Sequence, residues 1–279
     1  MFAEVSSIYY IFIGYLLEVI DMSTILWQGI VFGPIKSRRL GNSLGINLMP
    51  VNGKGCSFDC IYCECGWNRN GKGNQTIPSY DAVKSAVTSQ LEKHKSEGTA
   101  IDTITFSGNG EPTLHPQFPE IIDHTIHERD RLYPNAKVSV LSNATRIGKP
   151  AVREALKRVD NPILKIDSAL KEWVNLIDNP APGYSLKETI DNLKLFNNNF
   201  ILQTMFLRGE QNGIKFDSTD PANTEPWTRL VKELRPREVM MYTIDRETPN
   251  SSLRKVTVAE MERIAEPLVK EGIVVQIKG

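Results

Sequence analysis

The chain alternates between short apolar runs and amphipathic stretches from about position 43 onward. Runs with strand-like patterning are Ser43–Val51, Asp102–Ser107, Lys137–Ser142, Pro162–Ser168, Phe200–Leu207, Glu238–Ile244 and Ile273–Ile277. Segments with helical periodicity lie between them, at Tyr80–Glu97, Gln117–Arg129, Pro150–Arg158, Ser185–Phe196, Trp227–Leu234 and Val258–Lys270. Gly98 follows the first helix as a stop signal, and Ser185 with Glu188 is typical of a capping box. Strand–helix units in series predict a parallel sheet with helices packed outside it.

Six such units indicate an α/β fold built as a partial, open (β/α)6 barrel, since a complete eight-unit barrel takes about 250 residues. The most loop-like stretch, Asp217–Pro226, is interpreted as an insertion between the fifth strand and its helix. We predict one domain over residues 22–279. Residues 1–21 are predicted to be a non-native or disordered extension, because their apolar run Ile8–Leu17 is shorter than the roughly 20 residues that cross a bilayer. An anchor on a membrane surface is the alternative for this segment.

The charge balance and the position of the cysteines bear on the partners and the compartment of the protein. Lys+Arg and Asp+Glu both number 33, so the chain has no bulk positive charge to attract nucleic acid. All four cysteines fall between positions 56 and 65. A disulfide framework would spread its cysteines over distant segments, so this crowding indicates a metal or cluster site in a reducing compartment. We therefore expect a cytoplasmic protein with no membrane partner.

The cysteines follow the first strand directly, in a Cys-x3-Cys-x2-Cys pattern formed by Cys56, Cys60 and Cys63. The carboxyl ends of barrel strands carry the chemistry of such folds. Three thiolates can hold a four-iron cluster and leave one iron open for another ligand. A structural zinc site made from all four cysteines is the alternative, although the spacing from Cys63 to Cys65 is tight for a zinc knuckle. Cys65 is interpreted as a non-ligand, either a spare thiol, a redox partner or a buried small residue.

This cysteine pattern, with the aromatic Tyr62 just before the third cysteine, resembles the signature of the radical S-adenosylmethionine (radical SAM) superfamily. The resemblance implies that a [4Fe–4S] cluster binds the amino and carboxylate groups of SAM at its open iron. It also implies reductive cleavage of SAM to methionine and a 5′-deoxyadenosyl radical, which removes a hydrogen atom from a substrate. An electron donor such as flavodoxin or ferredoxin is expected as a partner.

Further motifs agree with this resemblance. The run Asn109-Gly110-Glu111-Pro112 is similar to the superfamily's Gly-Gly-Glu-Pro loop, with asparagine in place of the first glycine. Lys165 and Asp167 share one face of the fourth strand, where a plain internal salt bridge is the alternative to a cofactor contact. The residues that the resemblance places around SAM are Tyr62, Gly108, Gly110, Glu111, Ser142, Asn143, Lys165 and Asp167.

A segment before the first strand narrows the resemblance. Its pattern, Gly33-Pro-x-x-Ser-Arg-Arg-Leu-Gly41, looks like a branch of iron–sulfur oxidoreductases related to wyosine (wybutosine) tRNA-modification enzymes, as does the run Tyr242–Arg246. Arg38 and Arg39 could bind a phosphate or carboxylate, with exposed cations as the alternative. Archaeal wyosine synthases carry further cysteines before the signature, and this chain has none before Cys56. The substrate class is therefore open between RNA, peptide and small molecule.

Overall fold

The computed structural model describes residues 25–71 and 76–279, so the predicted extension 1–21 lies outside the described residues. Eight strands form one sheet in the order β1-β2-β3-β4-β5-β6-β9-β11. Their bounds are β1 Val31–Ser37, β2 Gly41–Ile46, β3 Thr103–Phe106, β4 Lys137–Ser142, β5 Asn161–Lys165, β6 Ile201–Met205, β9 Glu238–Tyr242 and β11 Val275–Lys278. From β2 to β11 all neighbours are parallel, whereas β1 pairs antiparallel with β2.

Seven helices connect the parallel strands in the described residues, with bounds α1 Tyr80–Ser96, α2 Phe118–Leu132, α3 Pro150–Arg158, α4 Lys171–Ile177, α5 Leu186–Lys194, α6 Pro221–Leu234 and α7 Val258–Val269. Ser185 accepts a hydrogen bond from the N–H of Glu188 and so caps α5, which is one half of the predicted capping box. Thr257 and Glu260 form a complete capping box at α7. The predicted open α/β barrel is confirmed as a curled parallel sheet whose edge strands do not pair with each other.

The two faces of the sheet differ in chemistry. On the helix side, Leu44, Ile104 and Val138 belong to one large buried cluster with the apolar stripes of α1 and α2. On the other face hydroxyls pair with each other, since Ser43 Oγ lies 2.8 Å from Thr105 Oγ1. The concave side of the half-barrel is therefore polar along β2 and β3, whereas Ile163, Ile201 and Met240 form a small apolar cluster on β5, β6 and β9.

Four features differ from the sequence prediction, and the first is α4, Lys171–Ile177, which no predicted helical segment covers. Strand β1 was not among the predicted strands. It contains Gly33-Pro34, and an edge strand with a bulge tolerates proline. Strands β7 (Leu207–Gln211), β8 (Ile214–Asp217) and β10 (Arg254–Lys255) form a second, three-stranded sheet. The prediction of one loop over Asp217–Pro226 is wrong, because α6 already begins at Pro221, where Asp220 caps it through the N–H of Ala222.

Candidate cluster and cofactor site

The cysteine loop leaves the carboxyl end of β2 and is fastened on both sides by backbone hydrogen bonds. On one side the N–H of Gly55 donates to the carbonyl of Asn109 at 2.8 Å, and the carbonyl of Gly55 accepts from Glu111 at 3.0 Å. On the other side the N–H of Ile61 donates to the carbonyl of Ile177 at 3.0 Å. Because neighbouring segments hold the loop, its side chains are ordered before any ligand arrives.

The contact between the cysteine loop and the loop after β3 requires glycine. Gly110 has φ +142°, and a Cβ built on it would lie 1.9 Å from the carbonyl oxygen of Gly55. Gly108 has φ +121°, and its Cβ would lie 2.8 Å from Asn47 Oδ1. Gly110 thus permits the close approach of two backbones, and Gly108 permits the close packing of the Asn47 side chain.

Lys54 places a buried cation against the cysteines, and sequence reasoning missed it. The side chain of Lys54 is 1% exposed, and its Nζ lies 3.1 Å from Asp59 Oδ1. Burial alone would lower the pKa of Lys54, but Cys63, Cys60, Cys56 and Asp59 together outweigh burial and raise it. An ammonium near all three predicted ligands stabilises negative charge on their sulfurs. The sequence signal that could have indicated this residue is a lysine between two glycines, Gly53-Lys54-Gly55, just after the predicted first strand.

Other donors lie against individual sulfurs. Cys56 Sγ accepts the N–H of Phe58 at 3.4 Å and lies 3.5 Å from Asn143 Nδ2. Cys60 Sγ lies 3.1 Å from Lys165 Nζ. Donors directed at sulfur favour the thiolate form that iron binds.

The cysteines differ in the ease with which they lose a proton. Burial raises the pKa of Cys56 to about 12 and raises that of Cys60 well above its usual value. A hydrogen bond with Cys65 lowers the pKa of Cys63 to about 6, and the same bond raises the pKa of Cys65. Iron binding must therefore displace protons from Cys56 and Cys60.

The donor set fits a cluster held by Cys56, Cys60 and Cys63. Within residues 25–71 and 76–279, no three His, Cys, Asp or Glu side chains converge to hold a single metal ion. The three thiolates of a cluster bind three different irons, so they need not meet at one point. Cys65 lies beside this set, and its thiol donates to the carbonyl oxygen of Gly108 at 3.2 Å.

Glu111 joins the ends of β3 and β4. Its carboxylate is buried and accepts hydrogen bonds from the N–H of Thr113 at 3.0 Å, the hydroxyl of Ser142 at 2.8 Å and the N–H of Asn143 at 2.7 Å. Burial raises the pKa of Glu111, while these donors oppose that shift. Glu111 therefore positions two other predicted cofactor residues, and its own contact with SAM stays a prediction.

Lys165 and Asp167 form the internal ion pair that the sequence left as an alternative. Lys165 Nζ lies 3.2 Å from Asp167 Oδ2 and also contacts Asp178, which the sequence did not indicate. Tyr62 donates its hydroxyl hydrogen to Asp167. Burial raises the pKa of Asp178 to about 8, although Lys165 opposes the shift. The network lies directly beside Cys60, while its contact with SAM stays a prediction.

The two arginines before β2 have different surroundings. Arg38 donates to the carbonyl oxygen of Gly279 at 2.6 Å and lies 3.4 Å from Asp245 Oδ2. The guanidinium of Arg39 stacks 4.5 Å from the ring centroid of Tyr242. These contacts join the turn between β1 and β2 to Tyr242 at the end of β9, to Asp245 shortly after β9 and to Gly279 after β11. The turn therefore spans the open side of the half-barrel.

The radical SAM superfamily matches residues 53–215, which is more than half of the 279 residues and includes the cysteine loop. No helix in the described parts of the chain has the length and apolar content to cross a membrane. The matched segment contains the cysteine loop and strands β3 to β6, while β2, β9 and β11 of the same sheet lie outside it.

Several known proteins are similar. GTPase Obg of Brachyspira hyodysenteriae is 30% identical over 237 residues, covering 84% of this chain and 32% of that protein. A UPF0026 protein of Helicobacter pylori is 28% identical over 252 residues, covering 89% of this chain and 76% of that one. SuiB of Streptococcus suis, solved with bound S-adenosylmethionine, has a TM-score of 0.58 at 14% identity, covering 82% of this chain and 49% of SuiB. The chain thus spans about a third of the first protein and half of SuiB, and the likeness to SuiB concerns the fold alone. From the match over residues 53–215, the chain belongs to the radical SAM superfamily.

Proposed function

We propose that this chain is a radical SAM enzyme that holds one [4Fe–4S] cluster on Cys56, Cys60 and Cys63 and cleaves SAM reductively. The observation that carries the proposal is the set of three cysteines in one fastened loop, with Lys54 near all three sulfurs and Lys165 against Cys60. When bound, the cluster and SAM would supply the electron transfer and the 5′-deoxyadenosyl radical that takes a hydrogen atom from substrate.

The chain's own residues would hold and orient these groups. Lys54 and Lys165 balance the negative charge of thiolates, which lowers the free energy of the charged site. Cys65 is assigned no ligand role, so that one iron stays open for the amino and carboxylate groups of SAM; its Sγ lies 3.2 Å from the carbonyl oxygen of Gly108. The glycines at positions 108 and 110 let the loop after β3 pack closely on Asn47 and on the backbone of Gly55, which holds the cysteine loop in place for the cluster.

The predicted SAM-binding side chains form two hydrogen-bonded groups, each of which reaches a cysteine of the same loop, and this supports assigning them to one ligand beside the cluster. Glu111 bonds to Ser142 and to the backbone of Asn143. Asn143 reaches Cys56, and Lys165 reaches Cys60. The proposed set is Tyr62, Gly108, Gly110, Glu111, Ser142, Asn143, Lys165 and Asp167.

The proposal includes an electron-donor protein, a cell compartment and a substrate class. A flavodoxin or ferredoxin would deliver the electron, and a reducing cytoplasm would keep four free cysteines reduced. RNA, a peptide and a small molecule are the substrate classes that a superfamily assignment leaves open. The zero formal charge gives RNA no electrostatic support.

The test is anaerobic purification and reconstitution, followed by measurement of iron and of 5′-deoxyadenosine after addition of SAM and dithionite. Wild type should bind about four irons per chain, as a single cluster requires. Cys56→Ala, Cys60→Ala and Cys63→Ala should each lose the cluster and the cleavage product. The matched control is Cys65→Ala, which removes a thiol from the same loop and should keep both.

Two results would contradict the proposal. A Cys56→Ala protein with a full cluster and wild-type cleavage would remove that residue from the ligand set. A colourless protein with about one zinc per chain and no reaction with SAM would mean that the cysteine loop is a structural zinc site.

A further inference from the structure

A chamber of about 230 Å³ lies on the concave face of the sheet, beside the cysteine loop. Its walls come from the β1–β2 hairpin, from the hydroxyl-bearing face of β2 and β3, and from the end of the cysteine loop. Arg39, Ser43, Thr105 and Cys65 line it. We call this space the hairpin chamber.

The turn of the hairpin forms part of the chamber wall through Ser37, Arg39 and Leu40. Arg38 fastens the turn to Gly279 and Asp245, so its guanidinium is already occupied. Arg39 lines the chamber and stacks on Tyr242. Stacking fixes the plane of a guanidinium, which prepares it for a planar or tetrahedral anion.

Arg39 is incompletely partnered. Its Nη1 is screened from solvent and has no hydrogen-bond partner in the described residues. A buried donor without an acceptor lowers stability, and native proteins rarely keep one unless a ligand or water supplies the acceptor.

The other charges of the chamber are paired. Arg246 donates to Glu64 Oε2 at 2.6 Å, so these two lining residues neutralise each other. Among the described residues that line the chamber, Arg39 is the remaining charged side chain. The chamber therefore has a net positive charge, and its lining also includes the paired hydroxyls of Ser43 and Thr105.

We propose that the hairpin chamber binds a compact anion, with a carboxylate or phosphate group on Arg39, and that this anion is the substrate. The assignment as substrate rests on the proposed radical SAM function. The chamber is lined by Cys65, which lies in the cysteine loop, and by Gly108, which belongs to the proposed SAM-binding set, so its occupant would lie beside the reacting groups. Its volume is below the roughly 300–1,000 Å³ of pockets for drug-sized ligands, which favours a small molecule over an RNA or a folded protein.

The test measures anion binding to the reconstituted holoprotein by calorimetry, with inorganic phosphate and succinate as probes and succinamide as the neutral analogue. Each titration is run without SAM and again with SAM at saturation. Wild type should bind at least one anion and not succinamide. Arg39→Gln should weaken binding at least about tenfold, the effect expected for one bidentate charged contact. Arg39→Lys keeps the charge without the fork and should bind with intermediate affinity.

Lys36→Gln is the matched control, because Lys36 is an exposed cation on the same hairpin that does not line the chamber. It should bind as wild type does. Iron content and melting temperature are measured for every variant, and Arg39→Lys serves if Arg39→Gln does not fold.

Three results would overturn the inference: no binding of either anion by wild type at high millimolar concentration, equal binding by Arg39→Gln, or loss of anion binding when SAM is added. Production of 5′-deoxyadenosine by wild type tests the underlying function separately. If wild type binds the anions but cleaves no SAM, the anion site stands while its assignment as the substrate site is withdrawn.

Discussion

Gly110→Ala should separate the cysteine loop from the loop after β3. The Cβ of alanine would lie 1.9 Å from the carbonyl oxygen and 2.5 Å from the carbonyl carbon of Gly55, whereas real Cβ contacts essentially never fall below 3.0 Å. The atoms in the way are backbone, so no side-chain rotation relieves the clash. One of the two loops must therefore move by about 1 Å or more.

The expected loss of stability follows from what that movement breaks. Two backbone hydrogen bonds of Gly55 join the loops, at 2.8 Å and 3.0 Å. Each contributes about 1 kcal/mol, and the backbone strain at φ +142° adds about 1–3 kcal/mol. Gly110→Ala should thus lower the free energy of unfolding by about 3–5 kcal/mol.

Gly98→Ala is the matched control. Gly98 also has positive φ, +69°, but nothing lies within 4 Å of its added Cβ, so only the conformational cost of about 1–2 kcal/mol applies. Urea denaturation of both variants measures the difference, and iron content after reconstitution reports the state of the site. Equal destabilisation of the two variants, with full iron in Gly110→Ala, would refute the reasoning from steric contact.

Three further changes have expected outcomes. Lys54→Met keeps the length of the side chain but removes the buried ammonium, so iron should be lost faster to a chelator; unchanged release kinetics would show that this charge does not act on the cysteines. Glu111→Gln puts an amide donor against the Ser142 hydroxyl or the N–H of Asn143 and should cost about 2–3 kcal/mol in urea denaturation; wild-type stability would contradict the network. Glu260 has a pKa lowered to about 2 by hydrogen bonds from Thr257 and an ion pair with Arg208, so its contribution is present above pH 4.5 and is lost as pH falls toward 2. The difference in melting temperature between wild type and Glu260→Gln should shrink over that range, and a constant difference would argue against this origin.

Most parallel strands could be located in the sequence because they contain buried apolar residues bounded by turn residues. Ile104 and Phe106 in β3 are buried, and the predicted run Asp102–Ser107 contains that strand. Edge elements were harder to predict. Strand β1 is held by pairing with β2, which no local pattern of Val31–Ser37 indicates. Pro226 ended the stretch that was predicted as a loop, yet it lies inside α6, which begins at Pro221.

The candidate site shows the same division between local and distant information. The spacing of Cys56, Cys60 and Cys63 is local, so the sequence alone indicates a cluster. Asp178 lies 13 residues beyond Lys165, and their contact depends on the path of the chain through α4. No pattern in the sequence encodes such an approach, and a buried carboxylate beside a proposed ligand is recognised only when the fold is known.

The departure of Asn109 from the family's glycine has a physical explanation in the turn that contains it. The N–H of Gly110 donates to the carbonyl of Gly108 at 2.9 Å, which makes Asn109 the centre of a three-residue turn. Both flanking residues have positive φ and are glycine, whereas the central position does not have positive φ and therefore accepts a side chain. The amide of Asn109 uses that freedom: its Nδ2 donates to the carbonyls of Trp27 and Pro50 at 2.9 Å and 2.8 Å. The substitution therefore keeps the backbone that the cysteine loop needs and fastens to it the segment that leads into the hairpin chamber.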